Sequence, residues 1–365
     1  MTVMRLDLND YRNYRCLNLE PSPGLNLIVG PNAQGKTNLI EAISTVATTR
    51  VLRGSRDGEV IREGAESARV TATYGESETE LSILIERGSR GVSKKTYLNG
   101  MAFKRASDAL GRLPLVCVSA SDLAIVQGEP ADRRLFLDLE LSQIYPAYFQ
   151  SLAQYRRALE QRNALLRAAE REWVQPEVFE VWEAPMAKHG ATLRRFRQEF
   201  SRVLAIEAGR AYRAISGHED LGVGYEMRTA GNTEDELFDA LAQSRETDTA
   251  RGSTSVGPHR DDLNLEIEGR SVRLFGSQGQ QRSAALAIKL GAWEHGRQVL
   301  GARPILLLDD VFSDLDAGRR GRLFEHALAE HGQVFLTCPD IESAAVAGIE
   351  RATVFEVRQG EVTRR

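Results

Sequence analysis

Residues 30–37 read Gly30-Pro-Asn-Ala-Gln-Gly-Lys-Thr37, and the chain changes character on either side of them. Upstream, Leu25-Asn-Leu-Ile-Val29 is a short apolar run of strand type, and downstream Leu39, Ile40 and Ile43 recur at helical spacing. Strand, glycine loop and helix in that order form the unit of a phosphate-binding loop. Gly30 and Gly35 permit backbone angles and close approach that side chains forbid, so the amides of Pro31-bounded Asn32, Ala33 and Gln34 can turn toward phosphate oxygens. The helix that follows adds the positive end of its dipole. In such a loop Lys36 reaches the β and γ phosphates of ATP, and the Thr37 hydroxyl ligates Mg2+. Lys36 is also the only lysine in the first 93 residues of a chain that carries six lysines among its 47 basic residues.

Three more segments extend this reading. Pro304-Ile-Leu-Leu-Leu-Asp-Asp310 is an unbroken apolar run ending in two carboxylates, as in a buried parallel strand whose carboxyl end faces a ligand. There Asp309 is placed to orient Mg2+, directly or through water, and Asp310 to act as the base that activates water. Gly276-Ser-Gln-Gly-Gln280 precedes a helical pattern, so Ser277, Gly279 and Gln280 offer a hydroxyl and free amides at a helix start. Ser313-Asp-Leu-Asp316 follows the acidic strand, with Asp314 and Asp316 as its carboxylates. The order of the four segments is that of an ABC-type ATPase, in which nucleotide lies between two copies of the protein. An ATP-dependent homodimer with two composite sites follows. Asp310 stands where such ATPases usually carry glutamate, one methylene longer, and slow turnover is expected.

Two further parts are weakly marked. The strand Val334-Phe-Leu-Thr337 ends on threonine where a switch histidine is usual, while His331 precedes it. Thr337 is therefore the candidate at that position. Gln127 fits either a glutamine-loop residue or an exposed loop side chain without a role, and His259 either a structural turn histidine or a catalytic one.

With 365 residues and 42% hydrophobic content the chain can bury a sizeable core in about two domains. A net charge of −4 gives no bulk attraction to nucleic acid, so any DNA contact rests on local patches. Cys16, Cys117 and Cys338 are scattered without pairing, which suits a reducing compartment. The start lacks an apolar leader, and no stretch approaches the roughly 20 apolar residues of a membrane span, so a cytoplasmic protein without a membrane partner is expected.

The opening residues alternate as two strands around Tyr11-Arg-Asn-Tyr14, and residues 70–98 alternate as antiparallel sheet. Residues 132–216 are helical and charged. Tyr148, Leu152, Tyr155 and Leu159 form one apolar seam, and Trp182, Met186, His189, Leu193, Phe196, Phe200 and Val203 another, broken near Trp173-Val-Gln-Pro176. The seams fit a short two-helix coiled coil or the core faces of a helical lobe. Sheet and helix patterns then return, with a capping box at Thr233-Glu-Asp-Glu236. The expected fold is α/β: an ABC-type ATPase head of mixed sheets and flanking helices, split between residues 1–129 and 217–365, with a short helical arm inserted at 130–216.

These motifs, together with Asn38-Leu-Ile-Glu-Ala42, Ser121-Asp-Leu123, Gly128-Glu-Pro130, Arg133-Arg-Leu-Phe-Leu-Asp138 and Gly257-Pro-His-Arg-Asp-Asp262, make the chain resemble the RecF family of bacterial recombination mediators, relatives of SMC proteins. The resemblance spans nearly the whole length. Ser121 replaces the family's usual proline, Asp314 a frequent glutamate, and Phe-Gly before Ser277 a more usual Leu-Ser. It implies a weak, DNA-stimulated ATPase that dimerises on ATP, binds duplex DNA near single-strand gaps, and acts with RecR and RecO to load RecA in gap repair, replication restart and the SOS response. Arg50, Arg53, Arg56, Lys94, Lys95, Lys104 and Arg105 are candidate backbone contacts, or ordinary surface charges. An SMC-type tether would need hundreds of coiled-coil residues, and a transporter motor a closer spacing of its two halves. A nucleotide-sensing scaffold without hydrolysis is the alternative that Asp310 keeps open.

Overall fold

A computed structural model describes residues 2–51, 56–89, 91–314, 317–323, 332–342 and 351–365, apart from the side chains of 313, 314 and 317. Arg53, His331 and Asp316 lie outside the described residues, as does the side chain of Asp314. The chain forms two compact units, one of Met1–Leu123, Glu207–Asp220 and Gly276–Arg365, the other of Ala124–Ile206 and Leu221–Phe275.

The first unit opens with β1 (Val3–Tyr11) and β2 (Tyr14–Leu19), a hairpin closed by the two residues between Tyr11 and Tyr14, with Arg12 at φ 52°. β3 (Leu25–Val29) runs into the glycine loop, and α1 (Lys36–Thr48) leaves it. β4 (Ser67–Tyr74), β5 (Thr79–Gly88), β6 (Gly91–Leu98) and the short β7 (Met101–Ala102) extend the hairpin into an antiparallel sheet ordered β2-β1-β4-β5-β6-β7. The alternation read at 70–98 sets this register, Val70 opposite Ile83 and Ile83 opposite Thr96. β8 (Leu115–Val118) belongs to a second sheet.

The second unit begins with α2 (Ala124–Gln127), α3 (Pro130–Ile144), α4 (Pro146–Ala169) and α5 (Pro176–Ser216). Pro176 starts α5, as the break expected near Trp173 requires. At 41 residues α5 is about 62 Å long, and its stretch from Glu207 belongs to the first unit. β9 (Leu221–Glu226), α6 (Glu234–Gln243), α7 (Arg245–Arg251), β10 (Asp262–Ile267), β11 (Arg270–Ser271) and α8 (Val272–Phe275) complete the second unit, with a sheet ordered β11-β10-β9. The expected head had included 217–365. Instead Leu221–Phe275 groups with the helices, because arginines of α4 and α5 are tied to its acids. Arg162, with no exposed surface, bonds Glu183, Asp248, Thr254 and the Leu241 carbonyl. Arg194, equally buried, takes Asp261 through two bonds of 2.8 Å.

The apolar seams are therefore core faces of a helical lobe. Tyr148, Leu152, Tyr155, Met186, Leu193 and Phe200 are buried, but so are Glu183, Arg194 and Arg197 beside them, which a plain two-helix seam does not accommodate. The capping box at α6 forms as expected, the Thr233 hydroxyl accepting from the Glu236 amide and the Glu236 carboxylate from the Thr233 amide at 3.1 Å.

The chain returns to the first unit with α9 (Gln278–Leu300), β12 (Ile305–Leu308), α10 (Ala317–Leu323), β13 (Val334–Cys338), β14 (Thr353–Arg358) and β15 (Glu361–Arg364). The second sheet is ordered β15-β14-β3-β13-β12-β8, parallel except for β15, a last strand the sequence reading did not include. α1 contacts strands of both six-stranded sheets, which explains why Leu39, Ile40, Ile43 and Val46 are all fully buried around its circumference. The fold class is the expected α/β with mixed sheets and flanking helices. Among the described residues no helix is long and apolar enough to cross a membrane.

Candidate nucleotide-binding site

Register brings three strand ends together. In the parallel sheet Ile28 pairs with Thr337, and Leu308 with Leu336, so the residues that follow β3, β13 and β12 emerge side by side at the carboxyl edge. That edge carries loop 30–37, Thr337 and the pair Asp309-Asp310, the place where ligands bind in open α/β sheets.

The loop needs its glycines. Gly30 has φ 151°, and a Cβ there would come within 2.3 Å of the Val357 carbonyl oxygen. Gly35, at φ 118°, has the Asn13 amide and the Tyr14 hydroxyl where a Cβ would go, at 2.6 and 3.0 Å. These neighbours brace the loop from outside. The Tyr14 hydroxyl donates to the Gly35 carbonyl at 2.9 Å, Asn13 Nδ2 donates to the Gln34 carbonyl at 2.9 Å, and Asn13 Oδ1 accepts from Asn38 Nδ2 at 2.8 Å. On the other side the Gln34 side chain accepts from the Gln359 amide at 2.8 Å. Tyr11-Arg-Asn-Tyr14 thus does more than turn the chain: its last two residues hold the phosphate loop. The sequence signal was the motif itself, read there only as a turn.

Lys36 is 8% exposed, and its ammonium donates to the carbonyls of Gly30 and Pro31, the latter at 2.9 Å. Burial lowers its pKa, while Asp310, Cys338 and Asp309 act in the opposite sense. The Thr37 hydroxyl donates to Asp309 Oδ1 at 3.0 Å. The same oxygen accepts from the Thr337 hydroxyl at 2.9 Å, and Thr337 Oγ1 in turn accepts from the Asp310 amide at 2.8 Å. Thr337 therefore spans both acids. It fixes the Asp309 carboxylate by donation and the Asp310 backbone by acceptance. Asp310 sits at φ 56°, an uncommon conformation for a residue with a side chain, and the amide bond to Thr337 supports it. Asp309 is nearly buried and Asp310 exposed. The two acids share a cavity of about 260 Å³ with Ser119, Asp122, Arg282 and Leu286.

The donor set fits a hard divalent cation: a threonine hydroxyl and a carboxylate oxygen 3.0 Å apart, at the foot of a helix whose start favours phosphate. Thr37 and Asp309 would hold Mg2+, and loop 30–37 with Lys36 would hold the phosphates.

Ser277, Gly279 and Gln280 form the start of α9. The Ser277 hydroxyl accepts from the Gln280 amide at 3.2 Å and the Gln280 side chain accepts from the Ser277 amide at 2.8 Å, a reciprocal cap. Gln280 also donates to Glu219 at 2.8 Å. None of these bonds reaches loop 30–37. Ser277 is exposed, and its own O–H has no acceptor among the described residues. Gln127 is exposed at the end of α2, in the second unit. His259, also in the second unit, is held by Tyr155 and the Thr254 carbonyl, which accounts for it as a structural residue. Of the candidate DNA contacts, Lys94 pairs with Asp57 at 2.9 Å and Lys95 with Glu86 at 3.5 Å, while Arg50, Arg56, Lys104 and Arg105 are exposed.

Replacing Thr337 by valine keeps the shape and removes both hydroxyl bonds. Steady-state ATP hydrolysis is expected to fall about tenfold, the rate equivalent of one displaced hydrogen-bonded group, with nucleotide affinity changing less. Serine should restore the rate. Equal losses in the valine and serine variants would show that the hydroxyl is not what matters.

A family model described as RecF/RecN/SMC N terminal domain matches residues 2–363. A protein named DNA replication and repair protein RecF from Lachnoclostridium phytofermentans is 36% identical over 99% of this chain and 99% of its own. A protein of the same name from Symbiobacterium thermophilum is 39% identical over 99% and 98%. A solved structure titled as the recombination mediator protein RecF with ATP in the RecFOR pathway superposes with a TM-score of 0.88 at 31% identity, covering 100% of this chain and 97% of that one. A phosphate loop, its partner carboxylates and the sheet that aligns them, matched along essentially the full length, show that the chain belongs to the RecF family.

Proposed function

We propose that the protein is an ATP-gated DNA-binding switch of recombinational repair, a slow ATPase whose nucleotide closes a homodimer. The observation that carries this is the bridge of Thr37, Asp309, Thr337 and Asp310 beside a glycine loop whose lysine is buried. Family membership supports ATPase activity, and the ATP-bound relative supports ATP as the nucleotide.

In this reading the amides of loop 30–37 and Lys36 bind the β and γ phosphates, and Thr37 and Asp309 would hold Mg2+, which would supply charge neutralisation there. Asp310 accepts the proton of the attacking water. Thr337 holds the Asp310 backbone, and the shorter reach of aspartate makes turnover slow. Ser277, Gly279 and Gln280 serve the partner subunit's nucleotide: the capped serine retains a free O–H, and the first amides of α9 have no intrahelical partner. Asp314 and Asp316 are proposed to serve the same nucleotide. DNA is bound through backbone-directed cations at duplex and gap junctions, and RecO and RecR are the partners through which RecA is loaded. The pathway named for the solved relative supports the first two.

The test is sedimentation of the purified protein with labelled gapped duplex DNA, with and without ATP and Mg2+. A DNA-bound dimer only in the presence of ATP is expected; a monomer indifferent to nucleotide and without DNA would leave a sensor. Ser277→Arg separates the composite site from simple binding. ATP affinity should stay within about threefold because the serine makes no bond to its own loop among the described residues, while the ATP-dependent dimer disappears. A normal dimer in that variant would sink the two-copy site.

A further inference from the structure

The segment Gly257-Pro-His-Arg-Asp-Asp262 takes no part in the nucleotide site, yet it anchors a cluster of arginines within the second unit. Asp262 takes Arg133 through bonds of 2.7 and 2.9 Å and Arg228 at 2.9 Å. Asp261 takes Arg194. Asp138 takes Arg156 and Arg197, each at 2.8 Å. Arg134 donates to the Asp261 carbonyl at 2.9 Å and has no carboxylate partner among the described residues. Six guanidinium groups therefore gather on three aspartates, with Glu226 beside Arg228 as the only other acid in ion-pair contact with them among the described residues. Burial and the like charge of Arg197 depress the Arg134 pKa, with Asp262 and Asp138 acting in the opposite sense.

Arg134, Arg156 and Arg197 face a cavity of about 310 Å³ whose other walls include Leu135, Leu159 and His259. The histidine contributes no charge. The Thr254 carbonyl can only accept, so Nε2 carries the proton, and Nδ1 accepts from the Tyr155 hydroxyl at 2.6 Å. Burial holds its pKa at about 4. The apolar wall is mainly aliphatic. Tyr155 also lines it, but the residue is 3% exposed and its hydroxyl is spent on His259, which leaves little face for an unpaired base to stack on. A carboxylate suits the guanidinium fork, and a neighbouring apolar side chain suits the leucines, of which Leu135 is 38% exposed.

We propose that this cavity docks an acidic protein segment in which a carboxylate stands next to a large apolar side chain, the carboxylate on Arg134 and Arg156 and the apolar group on Leu135 and Leu159. The site involves neither nucleotide nor Asp309 and Asp310, and goes beyond the ATP switch.

Fluorescence anisotropy of a fluorescein-labelled Ser-Asp-Glu-Asp-Leu-Phe peptide with the full chain, without nucleotide, tests it. Saturable binding is expected with a Kd on the order of 10 μM. Arg134→Gln and, independently, Leu135→Asn should each weaken it about tenfold while the thermal midpoint and ATP binding are retained. Both positions are at least partly exposed, so a folding failure of one leaves the other to decide. Peptides with the acids amidated, or with Leu-Phe replaced by Ser-Ser, should lose binding to a similar extent. No saturation by 1 mM (roughly the weakest class of specific affinity), undiminished binding to both variants, or equal displacement by a short oligothymidylate would overturn the proposal.

Discussion

Replacing Lys36 with methionine is expected to reduce ATP affinity at least about a hundredfold, while leaving the fold intact. Methionine matches the length of the lysine stem and packs in the same partly apolar space. What it lacks is the ammonium, which at 8% exposure is held at the loop by the carbonyls of Gly30 and Pro31. Two charge-assisted bonds to phosphate at about 1.5 kcal/mol each amount to about 3 kcal/mol, or two decades of affinity. Titration with a fluorescent ATP analogue measures this directly, with a thermal melt as the control. An affinity within threefold of the parent chain would mean that loop 30–37 is not where the phosphates sit.

The largest stability effect is expected not at that site but at Arg162. Arg162→Met should cost about 3–5 kcal/mol, the range for breaking a buried ion pair by removing one partner. The guanidinium has no exposed surface and bonds Glu183 at 3.0 Å, Asp248 at 2.7 Å, the Thr254 hydroxyl at 2.9 Å and the Leu241 carbonyl at 2.8 Å. Glu183 and Asp248 are equally buried, so the variant leaves two carboxylates facing an apolar thioether. Glu183 keeps Arg245, and Asp248 keeps the Ser244 hydroxyl and the Ser255 amide, which sets the lower end of the range. Urea unfolding gives the number. Adding Asp248→Asn to Arg162→Met should recover part of the loss, since the second change removes a stranded charge. A loss under about 1 kcal/mol would show that the network contributes little beyond geometry.

How much of this was legible in the sequence follows from what kind of signal each part leaves. Loop 30–37 and Asp309-Asp310 were readable because their constraints are local: only glycine tolerates the Val357 carbonyl beside Gly30, and an apolar run ending in acids marks a buried strand edge. The bracing by Asn13 and Tyr14 was not, since it joins residues 21 positions apart through side-chain bonds that leave no periodicity. The arginine network was hidden by composition. With six lysines among 47 basic residues, arginine is the default cation, and Arg162, Arg194 and Arg197 look like any solvated helix face. The seam through Met186, Leu193 and Phe200 located the buried side of α5 correctly but left out Glu183, Arg194 and Arg197, which are buried too. The same omission placed Leu221–Phe275 with the head, since the acids that bind it to the helices are visible only once their arginines are seen to be inside. Thr337 registered in the sequence as a missing histidine, and only the register of β12 on β13 shows what the threonine does instead.

That threonine has a consequence for how the protein responds to its surroundings. An imidazole at the end of β13 would gain or lose charge near pH 6.5 and would change its hold on neighbouring acids as it did so. A hydroxyl undergoes no such change across the range in which a cell lives. The bond from Thr337 to Asp309 and the one it receives from Asp310 therefore keep the same sign and the same partners in mildly acidic and mildly alkaline solution. At this position the site is deaf to proton concentration.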